Sequence, residues 1–126
     1  MQASPIAEPT QPGATQWHLT LHSATDEFRR AAAARDDAIV STLEAHLAWN
    51  RERHLDGRIL FSGPNMQTMM GIIVYGRLST EEVESDLETE PFIAAGWRTV
   101  EVIQWDVHQI MGIGSFALPP AYARPG

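Results

Sequence analysis

The sequence predicts an α+β fold with the element order β-α-β-β-α-β, and three observations carry that expectation. A short alternating stretch, "QWHLTLH", precedes a long segment rich in alanine, leucine and charge. Two apolar runs, "GRILFSGP" and "GIIVYGRL", then stand only a loop apart. A capped acidic segment leads into a last alternating stretch, "RTVEVIQWDVH".

Residues 16–22 put Trp17, Leu19 and Leu21 on one face and His18, Thr20 and His22 on the other, the period of a half-buried strand. The segment after it favours helix through its alanines, leucines and long charged side chains. Ile39, Leu43, His46, Leu47 and Asn50 recur at helical spacing and form one face. Thr25 or Asp26 can cap the start, Gly57 is a good stop, and a break near residues 35–37 divides the segment into two helices. Residues 57–64 and 71–78 are apolar on both faces, as strands covered on both sides are. "NMQTMM" joins them in a loop of hairpin length or slightly longer. Ser79 and Glu82 make the S-x-x-E box that opens a helix running to about Glu88. Its Glu81, Glu82, Glu84, Asp86 and Glu88 read as a solvated acidic face. "EPFIAAG" bends the chain through a short helical turn ending at Gly96. Residues 97–108 are the last strand, with Val100, Val102, Gln104, Asp106 and His108 on one face and Ile103, Trp105 and Val107 on the other. The order is ferredoxin-like. Helices on one side leave the second sheet face bare. Ile59, Phe61, Ile72, Val74, Val100 and Val102 cannot all be shielded by two helices, so a second copy of the chain, in a two-fold dimer, is the expected cover.

The 126 residues suit one domain, here residues 16–108. Residues 1–15, with Pro5, Pro9 and Pro12, read as a disordered or loosely attached arm, and 109–126 as a proline-rich tail. Hydrophobic residues make up 44% of the chain, enough for a core, and the net charge of −7 argues against nucleic acid or an anionic membrane as partner. Cysteine is absent, which excludes disulfides, thiolate catalysis and cysteine-ligated metals. No signal-peptide pattern opens the sequence and no apolar run has the length of a membrane span, so a soluble, cytoplasmic domain is expected.

Five histidines raise the question of a metal. His18 and His22 stand about 13 Å apart along a strand, and His46 and His54 about 12 Å apart along a helix, so neither pair shares one ion. No metal and no organic cofactor is expected. On the inward helix face, His46 reads first as a core histidine satisfied by one hydrogen bond. Asp106 and His108, two apart on one strand face and so about 7 Å apart at the backbone, read as a second acid/base pair or as a strand end emerging into water. Ser62 lies near the end of its strand as a pocket hydrogen-bonder. Met66 and Met69 can line an apolar pocket or pack under their loop. Trp105 reads first as core packing and second as a substrate platform.

"EAHLAWNRERHLDGRILFSGP" and "STEEVESDLETEPFIAAGW" resemble the two signature segments of YCII-related domains: a histidine-bearing helix, a glycine and a strand ending in Gly-Pro, then a Ser-x-Glu-Glu helix start, an acidic residue before Pro-Phe and a small-residue turn ending in glycine. The resemblance spans roughly residues 46–107. It implies a ferredoxin-like domain forming dimers of the α+β barrel type. Some members are cofactor-free lyases or isomerases acting on small cyclic or aromatic compounds. It also implies a histidine–aspartate pair. By position the histidine is His46, and the usual Asp-Pro is Glu90-Pro91 here. The resulting expectation is a cofactor-independent lyase or isomerase performing dehydration, elimination or cyclisation. His46 and Glu90 would be its acid/base pair, Asp106 and His108 would assist, and Ser62, Asn50, Met66, Met69 and Trp105 would contact the substrate. A non-catalytic dimeric binding module and a cofactor-free monooxygenase-like barrel are the alternatives.

Overall fold

The computed structural model describes residues 16–107 and the backbone of 109–110 and 114–115. The N-terminal arm, His108 and most of the C-terminal tail lie outside the described residues.

The elements follow the expected order: β1 (Gln16–Ala24), α1 (Asp26–Ala33), α2 (Ala38–Leu55), β2 (Ile59–Pro64), β3 (Gly71–Gly76), α3 (Thr80–Leu87), α4 (Pro91–Ala94) and β4 (Arg98–Asp106), with a small pair, β5 (Gln109–Ile110) and β6 (Gly114–Ser115), after them. The first four strands form one antiparallel sheet in the order β2-β3-β1-β4, with the helices on one face. This is the ferredoxin-like α+β fold.

Local chemistry sets the boundaries. The Thr25 side chain accepts from the Phe28 N–H and caps α1. Arg35, at φ 54, marks the break before α2, and Gly57, at φ 84, turns the chain out of α2 in a conformation open to glycine at no steric cost. The Ser79 capping box is complete, with each side chain bonded to the other residue's backbone N–H.

The faces of β1 are the first departure from the sequence expectation. In antiparallel pairing, residues opposite one another share a face. His18 stands opposite Tyr75 and Gln104, Thr20 opposite Ile73 and Val102, and His22 opposite Gly71 and Val100. This polar row is buried under the helices, while Trp17, Leu19 and Leu21 point to the outer face. The row is satisfied in part: His18 Nε2 meets Thr80 Oγ1 at 2.9 Å and Thr20 Oγ1 meets His22 Nε2 at 2.7 Å, while Nδ1 of both histidines has no partner among the described residues. The outer face gathers Trp17, Leu19, Val74, Ile103, the half-exposed Phe61 and the half-exposed Trp105, with Trp17 edge-on to both Phe61 and Trp105.

The core between helices and sheet is Trp49, Ile59, Ile73, Tyr75, Val83 and Leu87. α2 is rotated from the expected face. Leu43 and Leu47 remain 43% and 55% exposed, and the inward stripe is His46, Trp49, Asn50 and Arg53, spaced three or four apart. A buried arginine requires a counter-charge, and Asp86 supplies it. Asp86 accepts from Arg53 Nε at 2.8 Å, from Arg58 Nη1 at 2.8 Å and from the Tyr75 hydroxyl at 2.8 Å. Asp86 is therefore not part of a solvated acidic face: its side chain is only 9% exposed and ties α2, α3 and β3 together.

Candidate active site

Glu90 precedes a proline, so its backbone is held extended, at φ −67 and ψ 124, and α4 starts at Pro91. Its side chain turns back over the helix start. Oε2 accepts the Ile93 N–H at 2.9 Å, and Oε1 lies 2.6 Å from His46 Nδ1 on α2. Glu90 is fully buried. Burial alone pushes its carboxyl upward, but the His46 hydrogen bond and the backbone N–H groups of Ile93 and Phe92 outweigh that and hold it below the usual carboxylate range.

With Glu90 accepting at Nδ1, the neutral His46 ring carries its proton there and offers the Nε2 lone pair. Asn50 Nδ2, one turn further along α2, reaches Nε2 at 3.1 Å. Phe92 packs against the imidazole, with ring centroids 4.9 Å apart. One nitrogen is thus fixed by a buried carboxylate, and the other stands beside Asn50 at a cavity both residues line. That is the arrangement of an oriented general base.

The cavity measures about 440 Å³. Leu43, Leu47, Met69 and Ile72 supply apolar wall, and His22, Asn50, Ser62 and Arg98 supply polar groups. A cavity of this size with mostly apolar walls and a few polar groups suits a small ring-sized ligand. Burial pushes His22 down to about 4, because the charged ring would lose its water; the Glu90 carboxylate opposes this only in part, so His22 is neutral at neutral pH.

The structure brings His46, Glu90, Asn50, Ser62 and Met69 together at one place. Ser62 Oγ also meets His54 Nε2 at 3.0 Å. Met66 is 74% exposed on the β2–β3 loop and does not line the cavity. Trp105 lies on the outer sheet face, and Asp106, exposed, stands at the end of β4 far from the cavity, where Arg98 begins the strand. Two cavity residues escaped the sequence reading, His22 and Arg98. The signal for both was strand parity: His22 shares a face with Val100, and Arg98 with Val100 and Val102.

An antiparallel four-stranded sheet under helices, with a histidine on α2 bonded to a carboxylate at the start of α4 beside an apolar cavity, defines a ferredoxin-like α+β domain. The chain belongs to the YCII-related domain family, whose model matches residues 21–106, more than half of its length. Among solved structures it is similar to 5-chloro-2-hydroxyhydroquinone dehydrochlorinase (TftG) from Burkholderia phenoliruptrix AC1100, in complex with 2,5-dihydroxybenzoquinone. That likeness has a TM-score of 0.53 at 20% identity and covers 72% of this chain and 94% of the other. At this identity it establishes the shared fold. No curated protein matches. Among the described residues, no helix is long and apolar enough to cross a membrane.

Proposed function

We propose that the chain is a cofactor-independent lyase- or isomerase-type enzyme for a small cyclic or aromatic compound, with His46 as its general base. The carrying observation is the 2.6 Å contact between His46 Nδ1 and the buried Glu90 carboxylate. It orients the ring, fixes the tautomer and stabilises the imidazolium that forms when Nε2 takes a proton. Loss of a proton to Nε2 from a saturated ring carbon, as in the keto tautomer of a hydroxylated ring, leaves an electron pair that expels a leaving group from the neighbouring carbon or shifts a double bond. The dehydrochlorinase named above is an elimination enzyme, which agrees with this reading of the fold.

The test is chloride release from 5-chloro-2-hydroxyhydroquinone, together with deuterium uptake from D2O into a panel of hydroxylated rings. The wild-type protein should exceed His46→Ala by about 10²–10⁴, the usual contribution of a positioned acid/base group. If no probe shows His46-dependent acceleration, the chain is a binding module and this reading fails.

The same proposal includes a two-fold dimer through the outer sheet face. Phe61 at 54% and Trp105 at 41% exposure, flanking Trp17 on one continuous apolar surface, support it. Sedimentation should give twice the chain mass, and Phe61→Glu should halve it. A monomeric wild type removes this part of the proposal.

A further inference from the structure

Every arginine among the described residues but one is either ion-paired or exposed to water. Arg29 and Arg30 form exposed ion pairs, and Arg53 and Arg58 share Asp86. Arg35, Arg51 and Arg77 are exposed to water. Arg98 is the exception. It is partly buried in the cavity wall, and among the described residues it makes no ion pair and no side-chain hydrogen bond. Its guanidinium lies 4.3 Å over the Phe92 ring, the same ring that packs on His46. The closest-acting carboxylate, Glu90, has one oxygen on His46 and the other on Ile93 N–H, so it is not spent on Arg98. Burial lowers the Arg98 pKa despite Glu90, as expected of a charge short of partners.

Two orphan polar atoms stand in the same wall. His22 is 1% exposed and has no partner at Nδ1, and Asn50 has none at Oδ1. The space is held open by sequence. A Cβ at Gly71 would lie 3.2 Å from Arg98 Nη1, closer than most side-chain contacts, and in ordinary contact with His22 Cβ at 3.4 Å. A half-buried guanidinium with no protein counter-charge on it is open to an anion from the cavity side, where hydrogen bonds to a charged group are strongest. The apolar walls around it are suited to a ring.

We infer that Arg98 is the anion-binding element of the cavity, and that the substrate is a ring bearing an oxyanion, either a carboxylate or an ionised hydroxyl, held at the guanidinium beside His46. This rests on the proposed acid/base site and names its substrate class. The bound anion supplies the missing counter-charge. It also fixes which ring position faces Nε2, since Arg98 and His46 both pack on Phe92 and both line the cavity.

Equilibrium binding separates this from the question of turnover. Benzoate is titrated against its neutral isostere benzamide, and 4-nitrophenolate against 4-nitrophenol by varying pH, with thermal unfolding as a fold control. Wild type should bind at least one anion about tenfold or more tighter than its neutral partner, the range for hydrogen bonds to a charged group. Preference for benzoate alone would identify a carboxylate, and preference for the phenolate alone an ionised hydroxyl. Arg98→Met should abolish the preference while leaving benzamide affinity within about threefold. Arg98→Lys should keep part of it, and His46→Gln should keep it. Equal binding of anion and neutral form by wild type, no binding of either anion at millimolar concentration, or a preference surviving in Arg98→Met would overturn the assignment. The wild-type comparison stands even if Arg98→Met does not fold. Loss of anion preference with His46-dependent turnover intact would sink this inference alone, whereas the reverse would sink only the catalytic reading.

Discussion

Glu90→Gln is expected to lower His46-dependent turnover by about 10²–10⁴ while leaving the fold in place. The substitution preserves size and removes one acceptor. Glu90 uses two oxygens for two N–H donors, His46 Nδ1–H and Ile93 N–H. Glutamine has one oxygen and an NH2 group. If the oxygen keeps the Ile93 N–H and with it the α4 cap, the NH2 faces His46 Nδ1 and forces the ring proton to Nε2. The base is then blocked, and Asn50 Nδ2 faces a donor in place of an acceptor. If the oxygen serves His46 instead, α4 loses its side-chain cap, worth about 1 kcal/mol. Either way the imidazolium formed in the reaction loses its counter-charge. ¹⁵N shifts of the His46 ring read the tautomer directly, and kcat reads the consequence. A Glu90→Gln protein with wild-type kcat and the Nδ1–H tautomer would show that the pair is a structural contact and nothing more.

The element order was legible because each boundary carries its own chemistry: Thr25, Ser79 with Glu82, the proline after Glu90, and Gly57 and Gly96 at positive φ. The side-chain orientation was less so, for one physical reason. Hydrophobicity normally marks the buried face, yet this chain buries a polar row and turns an apolar one outward. His18, Thr20 and His22 look solvated until their cross-strand partners and the hydroxyls that bond the two Nε2 atoms are known. Asp86 looked like one more surface acid on α3 for the same reason, since its partners come from α2, β3 and the residue before β2. His46 and Glu90 were singled out because the family resemblance marks both positions; their 44-residue separation leaves no local trace of the contact. Asp106 misled because strand parity gives the face of a residue and says nothing about its position along the strand. It shares its face with Arg98 but stands at the opposite end of β4.

Asp86→Ala should have the largest effect on stability, a loss of about 3–5 kcal/mol. One carboxylate serves three donors, from α2, β3 and the residue before β2, and two of them are buried. Arg53 is 7% exposed and Tyr75 is fully buried. Arg53 keeps only the Trp49 carbonyl and Thr89 Oγ1 after the substitution, along with its stack 4.0 Å from the Trp49 ring. A charge left so is worse than no charge, because its desolvation is no longer offset. Arg58 is 31% exposed, still has Asp56 and contributes less to the loss. For a domain of this size each kcal/mol is about 4–8 °C in Tm, so thermal unfolding should shift by well over 10 °C. The mechanism makes a second demand. If the uncompensated guanidinium carries the loss, adding Arg53→Met to Asp86→Ala should recover part of it, since a buried ion pair is often replaceable by apolar side chains at little cost. Simple additivity of the two losses would mean that Asp86 stabilises chiefly through Tyr75 and Arg58. A single-variant Tm within about 2 °C of wild type would mean that the network is incidental to stability.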